Sequence, residues 1–478
     1  MPDVIYQSAR AMLSELEAER ISAEELLSLH LARNSLLHER LNAVVAIDVE
    51  AARKAARAVD DARRRKEAVG PLAGIPMTTK DGIDVRNMPA IVGNPAFVSR
   101  SKDCRDATVV ARARAAGAVI WGKSNVPLML GDIQTTDDVY GTTNNPYDRT
   151  RVPGGSSGGS AVALAAGITP LEIGSDIGGS LRHPANYCGI FSLRPTWGAL
   201  PQQGHIPPHP DHWFDVDLNV VGPMARSAED LRLLYGVLRD RLSIPRRDTR
   251  DVRIALWNEE PAFPLARGVR NAVRAAAEAL SKQGMRVEIA KPRIDGEELM
   301  AAYVALVNAV MSPNLPDEAV RAYAEQRVVD SSEIAGKGAW AKLAYHRYFS
   351  TASYRDVMKS LMVRETMRRT LADFFVEWDA VLMPITPILP FPHVREKDKI
   401  FHERLFDVDG AFEPSMKLIA WISLATFLQA PAVAVPAGQV DGLPVGIQFV
   451  GPWHEEDRLF DIAATAEDIL GGFRPPAI

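Results

Sequence analysis

The sequence predicts an α/β fold, and three observations carry that prediction. Short apolar runs such as Ala118-Val119-Ile120-Trp121 and Val445-Gly446-Ile447-Gln448-Phe449-Val450 read as buried strands. Helical stretches alternate with them, which is the pattern of strands covered by helices. With 24% charged and 47% hydrophobic residues among 478, the chain is ordinary for a globular protein and large enough for a substantial core.

In chain order, Ile5 to about Leu41 reads as two amphipathic helices. The second opens on Ser22-Ala23-Glu24-Glu25, a capping box ahead of Leu26, Leu27 and Leu29. Asn42 to Ile47 is a buried-strand candidate, and Glu50 to Lys66 an alanine/arginine helix with a solvated charged face. Leu72 to Lys80 is a loop running into a strand that ends at Lys80, and Ala107 to Ala116 is a helix. His205 to Asp217, rich in proline, histidine and aspartate, is expected to be a long loop. Pro292 to about Val376 is mostly helical, and Asp379 to Pro384 returns to a strand. Leu418 to Val440 is uncharged and could pass for a membrane span. Its Pro431 and Pro436, with Ser423, Thr426 and Gln429, make it instead a buried helix, a turn and the strand Ala432 to Val435. No internal repeat is visible.

Composition narrows the function classes. A net charge of -5 argues against a nucleic-acid or anionic-membrane surface. Only Cys104 and Cys188 are present, which excludes a disulfide framework and suits a reducing cytosol. The opening Met1-Pro2-Asp3-Val4 has no basic or apolar leader pattern, so no secretory signal is expected.

The most informative stretch is a pair of glycine–serine turns, Gly154 to Ser160 and Gly174 to Ser180. Between them lie a good helix former, Ala161 to Ala166, ended by Gly167, and a short strand, Ile168 to Ile173. Glycine permits close backbone approach and positive φ, and serines in such turns are held exposed. A flexible linker would not lead at once into a compact helix, a strand and another Gly-Gly-Ser. A phosphate loop fails too, because no Gly-Lys-Ser/Thr closes either turn.

These turns, together with Pro153 before them and Leu181, Arg182, Pro184, Ala185, Cys188 and Gly189 after them, resemble the amidase signature family. The similarity extends to Leu72-Ala73-Gly74-Ile75-Pro76 with Lys80-Asp81, to Gly122-Lys123-Ser124-Asn125 and to Tyr140 through Pro146. Downstream it includes Pro431-Ala432 and Asp441 through Gln448. Several motifs in the right order are far more specific than one Gly-Gly-Ser. The resemblance implies a single amidase domain over 1–478, with one large mixed β-sheet flanked by helices on both faces. Its parts would be N-terminal helices (1–66), an α/β core (67–230, 250–291 and 379–470) and a helical region (292–378) covering the cleft.

A serine nucleophile needs a base, and none of His183, His205, His209 and His212 stands in a recognisable triad context. The resemblance implies a different relay: Ser180 as nucleophile, Ser156 as the intermediate serine, and Lys80 as base. It also implies a cis peptide bond, here Gly155-Ser156. Alone, Lys80 would read as a surface lysine or a partner of Asp81; its place in Ala-Gly-Ile-Pro-x-x-x-Lys-Asp favours the base. The lysine must be neutral, which at its usual pKa costs about 4 kcal/mol near neutral pH and which burial can relieve. The backbone N–H groups of Ile177, Gly178, Gly179 and Ser180 are expected to form the oxyanion hole, such donors contributing about 3–4 kcal/mol each.

Substrate-binding expectations are coarser. The segment from Gly131 departs from the family pattern, and with Met129, Leu130, Asp132 and Ile133 it is expected beside the acyl pocket. Arg182 could bind a substrate carboxylate, although such an arginine more often ties loops together. Cys188 reads as a small buried apolar residue. His205, His209, Asp211 and His212, interrupted by prolines, match no common zinc spacing, so His205 is assigned to a cleft rim. No metal and no cofactor are expected. The resulting expectation is a cytoplasmic amidohydrolase, monomer or homodimer, cleaving small aryl or hydrophobic amides, or carbamates, through an acyl-enzyme. The alternatives are the glutaminase-type component of a tRNA-dependent glutamine amidotransferase, which would need a partner protein, and a catalytically inactive binding protein.

Overall fold

Eleven strands form one mixed sheet in the computed structural model, which describes residues 4–102, 104–206, 214–239, 248–249, 251–394 and 401–478. The strands are β1 (Val44–Ile47), β2 (Pro76–Lys80), β3 (Val119–Ser124), β4 (Leu171–Asp176), β5 (Phe191–Arg194) and β6 (Val220–Ala225). They continue as β7 (Arg253–Leu256), β8 (Arg286–Ile289), β9 (Ala380–Pro384), β10 (Ala432–Val440) and β11 (Leu443–Val450). Across the sheet the order is β1-β3-β2-β4-β6-β5-β10-β11-β9-β7-β8. Every residue of β2, β3, β4, β6, β9 and β11 is buried, so both faces of the central sheet are covered.

The parallel trio β3-β2-β4 positions the site. In β2, Thr78 lies opposite Glu172 of β4, and the strand ends at Lys80. Burial of these strands on both faces holds their ends in register. The helix Gly158–Ala165 then packs behind them with every residue buried.

Local signals account for most element starts and stops. The Ser22 capping box is formed at both its hydrogen bonds, and Gly167 ends its helix at φ +71°. Three expectations change. The strand at Val44–Ile47 is an edge strand with Ile47 52% exposed, because only β3 pairs with it. It also carries the region of N-terminal helices into the sheet. The turn expected from Gly174 is instead the end of β4, which runs to Asp176 through its pairing with β6. Strands β5, β6, β7 and β8 complete the sheet without having been foreseen, since they are short and not all apolar.

The helical region comprises Gly296–Met311, Asp317–Asp330, Leu343–Ser350 and Tyr354–Phe374. Its first helix is tied to the second serine turn, with the Tyr303 hydroxyl donating to the Ile177 carbonyl at 2.9 Å. Leu418 to Val440 forms a short 3-10 turn, a buried helix at Ser423–Phe427 and strand β10. Among the described residues, no helix is long and apolar enough to cross a membrane.

Candidate active site

Lys80 ends β2 with no exposed surface, and its Nζ lies 2.7 Å from Ser156 Oγ and 2.9 Å from Ser175 Oγ. Burial lowers the lysine pKa to about 7, with the charges of Asp176 and Glu172 pulling the other way. Desolvation wins because the ammonium has only hydroxyls and a carbonyl, Ser175 O at 3.5 Å, within hydrogen-bonding reach.

Ser156 sits on a cis Gly155–Ser156 peptide bond. A Cβ on Gly155 would lie 2.4 Å from the Asp132 carbonyl oxygen, so only glycine lets the Asp132–Ile133 backbone approach this turn. The Ser180 carbonyl accepts from the Ser157 N–H at 3.2 Å, joining the two glycine–serine turns. Ser156, Ser175 and Ser180 line one small cavity of about 30 Å³, with Leu130, Ile177, His205, Val216, Asn219, Val310, Met311 and Asn314.

The second turn is folded around Asp176. Its carboxylate accepts from the N–H groups of Gly179 (3.0 Å) and Leu181 (3.1 Å). It also accepts from Arg182 Nε (3.1 Å) and Nη2 (3.0 Å), and from Arg194 Nη1 (3.4 Å). Burial opposes ionisation, but the two guanidiniums and the backbone donors hold the Asp176 carboxyl well below the usual carboxylate range. Gly179 takes φ +89°, and a Cβ there would stand 2.7 Å from the His183 ring.

This geometry corrects two expectations. The Gly179 amide is committed to Asp176, so it is not available to an oxyanion. The N–H groups of Ile177, Gly178 and Ser180 donate to no protein acceptor among the described residues. Arg182 is not a substrate ligand, because it is wholly buried and its guanidinium is filled by Asp176, the Ile422 carbonyl, Gln448 and Thr426. It ties the second glycine–serine turn to the C-terminal half of the chain.

The segment at 129–133 divides. Leu130 lines the serine cavity, whereas Gly131 and Asp132 line a separate cleft of about 1090 Å³. Asp132 pairs there with Arg404 at 2.5 Å. Ile133 is core, and Met129 packs on a small cluster with Val92, Val126 and Ile206. His205 lines the serine cavity, as expected of a rim residue, while His209, Asp211 and His212 lie outside the described residues. Cys188 is buried with its thiol pKa pushed up by burial, in keeping with a packing role. Sequence reasoning missed Ser175, Asp176 and Arg194 as partners of the turn, although the first two stand inside the quoted motif. It also missed Val310, Met311 and Asn314, which have no local motif to give them away.

A buried amine beside a hydroxyl, with a second serine on a glycine turn, suits attack on a carbonyl carbon. The chain belongs to the amidase family, whose model, described as Amidase, matches residues 25–460. It is 32% identical to the A-type component of the glutamyl-tRNA(Gln) amidotransferase of Salinispora tropica, over the full length of both chains. A crystal structure described as an amidase is similar at 26% identity, covering 97% of this chain and all of that one, with a TM-score of 0.77. A structure described as a vestigial protein complex bearing on the origins of an s-triazine catabolic enzyme is also similar. It matches at 26% identity over 98% of this chain and 100% of the other, with a TM-score of 0.79. Membership makes this chain an amide-hydrolysing enzyme of the amidase signature fold.

Proposed function

We propose that this enzyme hydrolyses small, uncharged amides, aryl or aliphatic, and carbamates of similar size, through an acyl-enzyme on Ser180. The observation that carries the reading is Lys80, fully buried and 2.7 Å from Ser156, with a pKa lowered to about 7 by burial. Above that pH the amine is mostly neutral and can take the Ser156 proton. Ser156 takes the Ser180 proton as Ser180 Oγ bonds to the carbonyl carbon. The C–N bond then breaks as Ser156 protonates the leaving nitrogen and recovers a proton from Lys80. Water, deprotonated through the same relay, releases the acid and restores Ser180. The N–H groups of Ile177, Gly178 and Ser180 suit the oxyanion, each worth about 3 kcal/mol to the transition state.

The cavity lining supports an uncharged acyl group. Leu130, Ile177, Val216, Val310 and Met311 are apolar, and Asn219, Asn314 and His205 add polar atoms without a fixed charge. A carbamate presents the same carbonyl and an amine leaving group, so it fits the same relay.

A second reading is favoured by one finding, the full-length similarity to the A-type components of glutamyl-tRNA(Gln) amidotransferases. It would make glutamine the amide donor and require a partner protein. Glutamine brings an ammonium and a carboxylate, and among the described residues no carboxylate or guanidinium lines the serine cavity. Hydrolysis of an anilide, a short aliphatic amide, an aryl carbamate and L-glutamine by the purified chain separates the readings. Faster turnover of the neutral substrates supports the first. Turnover of glutamine alone supports the second.

A further inference from the structure

Glu172 is a buried carboxyl for which the relay has no use. It stands on β4 directly opposite Thr78 of β2, and Thr78 is two residues before Lys80. Side chains alternate along a strand, so Thr78 and Lys80 project to one face, and Glu172 shares it as the cross-strand partner. The Thr78 hydroxyl donates to Glu172 Oε1, and the Ser124 and Ser160 hydroxyls, 2.7 Å apart, face the same pocket. No donor among the described residues meets hydrogen-bond geometry at the second oxygen, Oε2, although the Ser124 and Ser160 hydroxyls lie close enough to favour the ionised carboxyl.

The charged groups around it are few. β2 contributes Lys80, β3 contributes Lys123, and β4 itself contributes Asp176. The facing strand β6 and the helix Gly158–Ala165 carry no titratable side chain. Lys123 is turned elsewhere, donating to the carbonyls of Asp81, Ile83 and Pro89. Asp176 is already paired with Arg182 and Arg194. Among the described residues of these elements, Lys80 is therefore the cation on which Glu172 can act.

We propose that Glu172 is a positioning residue for Lys80: its buried carboxyl governs how tightly the lysine keeps its proton. The inference rests on the reading of Lys80 as the base. Burial pushes the Glu172 carboxyl up to about 8, against the hydroxyls of Thr78, Ser124 and Ser160. Its negative charge in turn raises the Lys80 pKa, after the larger pull of Asp176. When Glu172 is neutral the lysine releases its proton readily; when Glu172 is ionised the lysine holds it. The two groups titrate as a pair near neutral pH, and the base carries a built-in brake.

The test is the pH dependence of Ser180 inactivation by a fluorophosphonate, in the wild type and in Glu172→Gln. Glutamine keeps an acceptor for Thr78 but cannot ionise. Because the Glu172 carboxyl is pushed up to about 8, it is neutral near pH 6, where Glu172→Gln and wild type should run together. Above about pH 7, where the wild-type carboxyl ionises, the upper part of the Glu172→Gln acidic limb should reach its plateau about one pH unit earlier. Thr78→Val, nearly isosteric, removes a donor that favours the carboxylate and should move the limb the same way by less. It decides the matter if Glu172→Gln does not fold. A purely structural glutamate would change thermal stability and leave the limb in place. A limb unmoved or moved to higher pH in both variants overturns the proposal. Failure of the wild type to label at Ser180 counts instead against the base assignment itself.

Discussion

The strands that lead to Lys80 and to the Ser180 turn and the helices of the 292–378 region are built differently. All residues of β2 and β4 are buried, whereas the helix Asp317–Asp330 buries only Asp330. The Tyr354–Phe374 helix leaves Tyr354 and Met362 largely exposed, and Val328 is exposed on the helix Asp317–Asp330. Burial on both faces holds the ends of these strands in one register, which is the rigidity that the proposed relay needs. Among the described residues of the helical region, Val310, Met311 and Asn314, at and beyond the end of one helix, line the serine cavity. On the proposed function, the chemistry falls to the buried sheet ends and acyl selection to the end of the helix Gly296–Met311, whose own body is buried. Changes in the first should cost turnover or folding, and changes in the second should redistribute preference among substrates.

The largest expected effect lies in the sheet-borne turn. Ser180→Ala should lower turnover by roughly 10⁴-fold or more, as loss of a nucleophile does. Intact-mass measurement should find no fluorophosphonate adduct on that variant, and a stoichiometric adduct would place the nucleophile elsewhere. Arg182→Met comes next. It leaves Asp176 buried with its main partner removed and should cost roughly 3–5 kcal/mol of stability, read as a lower denaturation midpoint. An unchanged midpoint with weakened binding of carboxylate-bearing substrates would restore Arg182 as a ligand.

On the cover side the effects shrink. Met311→Ala should change the ratio of kcat/KM for longer against shorter acyl chains by about tenfold, the worth of one or two methylenes in an apolar pocket. A uniform fall for all substrates would instead tie the cover to the chemistry. Smallest of all is the response to chelation. Prolonged dialysis against a chelator should leave activity unchanged, whereas loss with recovery on adding zinc would bring His205 and its neighbours back as metal ligands.

The same division explains what was legible in the sequence. The glycine turns could be read because close approach at Gly155 and positive φ at Gly179 leave no other residue acceptable. Lys80 could be located by its motif but not by its type, since a lysine in sequence carries no sign of burial. Arg182 could not be decided between substrate ligand and loop tie for the same reason: a guanidinium beside a glycine–serine turn looks free until its partners, Ile422, Thr426 and Gln448, arrive from far along the chain. The Gly179 amide likewise looked available until Asp176 folded back onto it. Strands β5 to β7 were missed because their burial comes from neighbours on the sheet and not from a strong local pattern, and β8 because it is an edge strand left largely exposed. Val310 and Met311 were invisible as pocket residues, since an apolar residue on a helix is core by default.

The central claim is that Lys80 acts as a neutral base. Single-turnover acylation by the wild type should rise with pH through about 7 and then level, because the deprotonated amine is the active form. The decisive comparison is Lys80→Arg with Lys80→Ala in that assay. Arginine keeps the positive charge but stays protonated at any usable pH, so it cannot accept the Ser156 proton. The account predicts that Lys80→Arg acylates as poorly as Lys80→Ala at every pH on the plateau. Near-wild-type acylation by Lys80→Arg would contradict it and make Lys80 a structural cation.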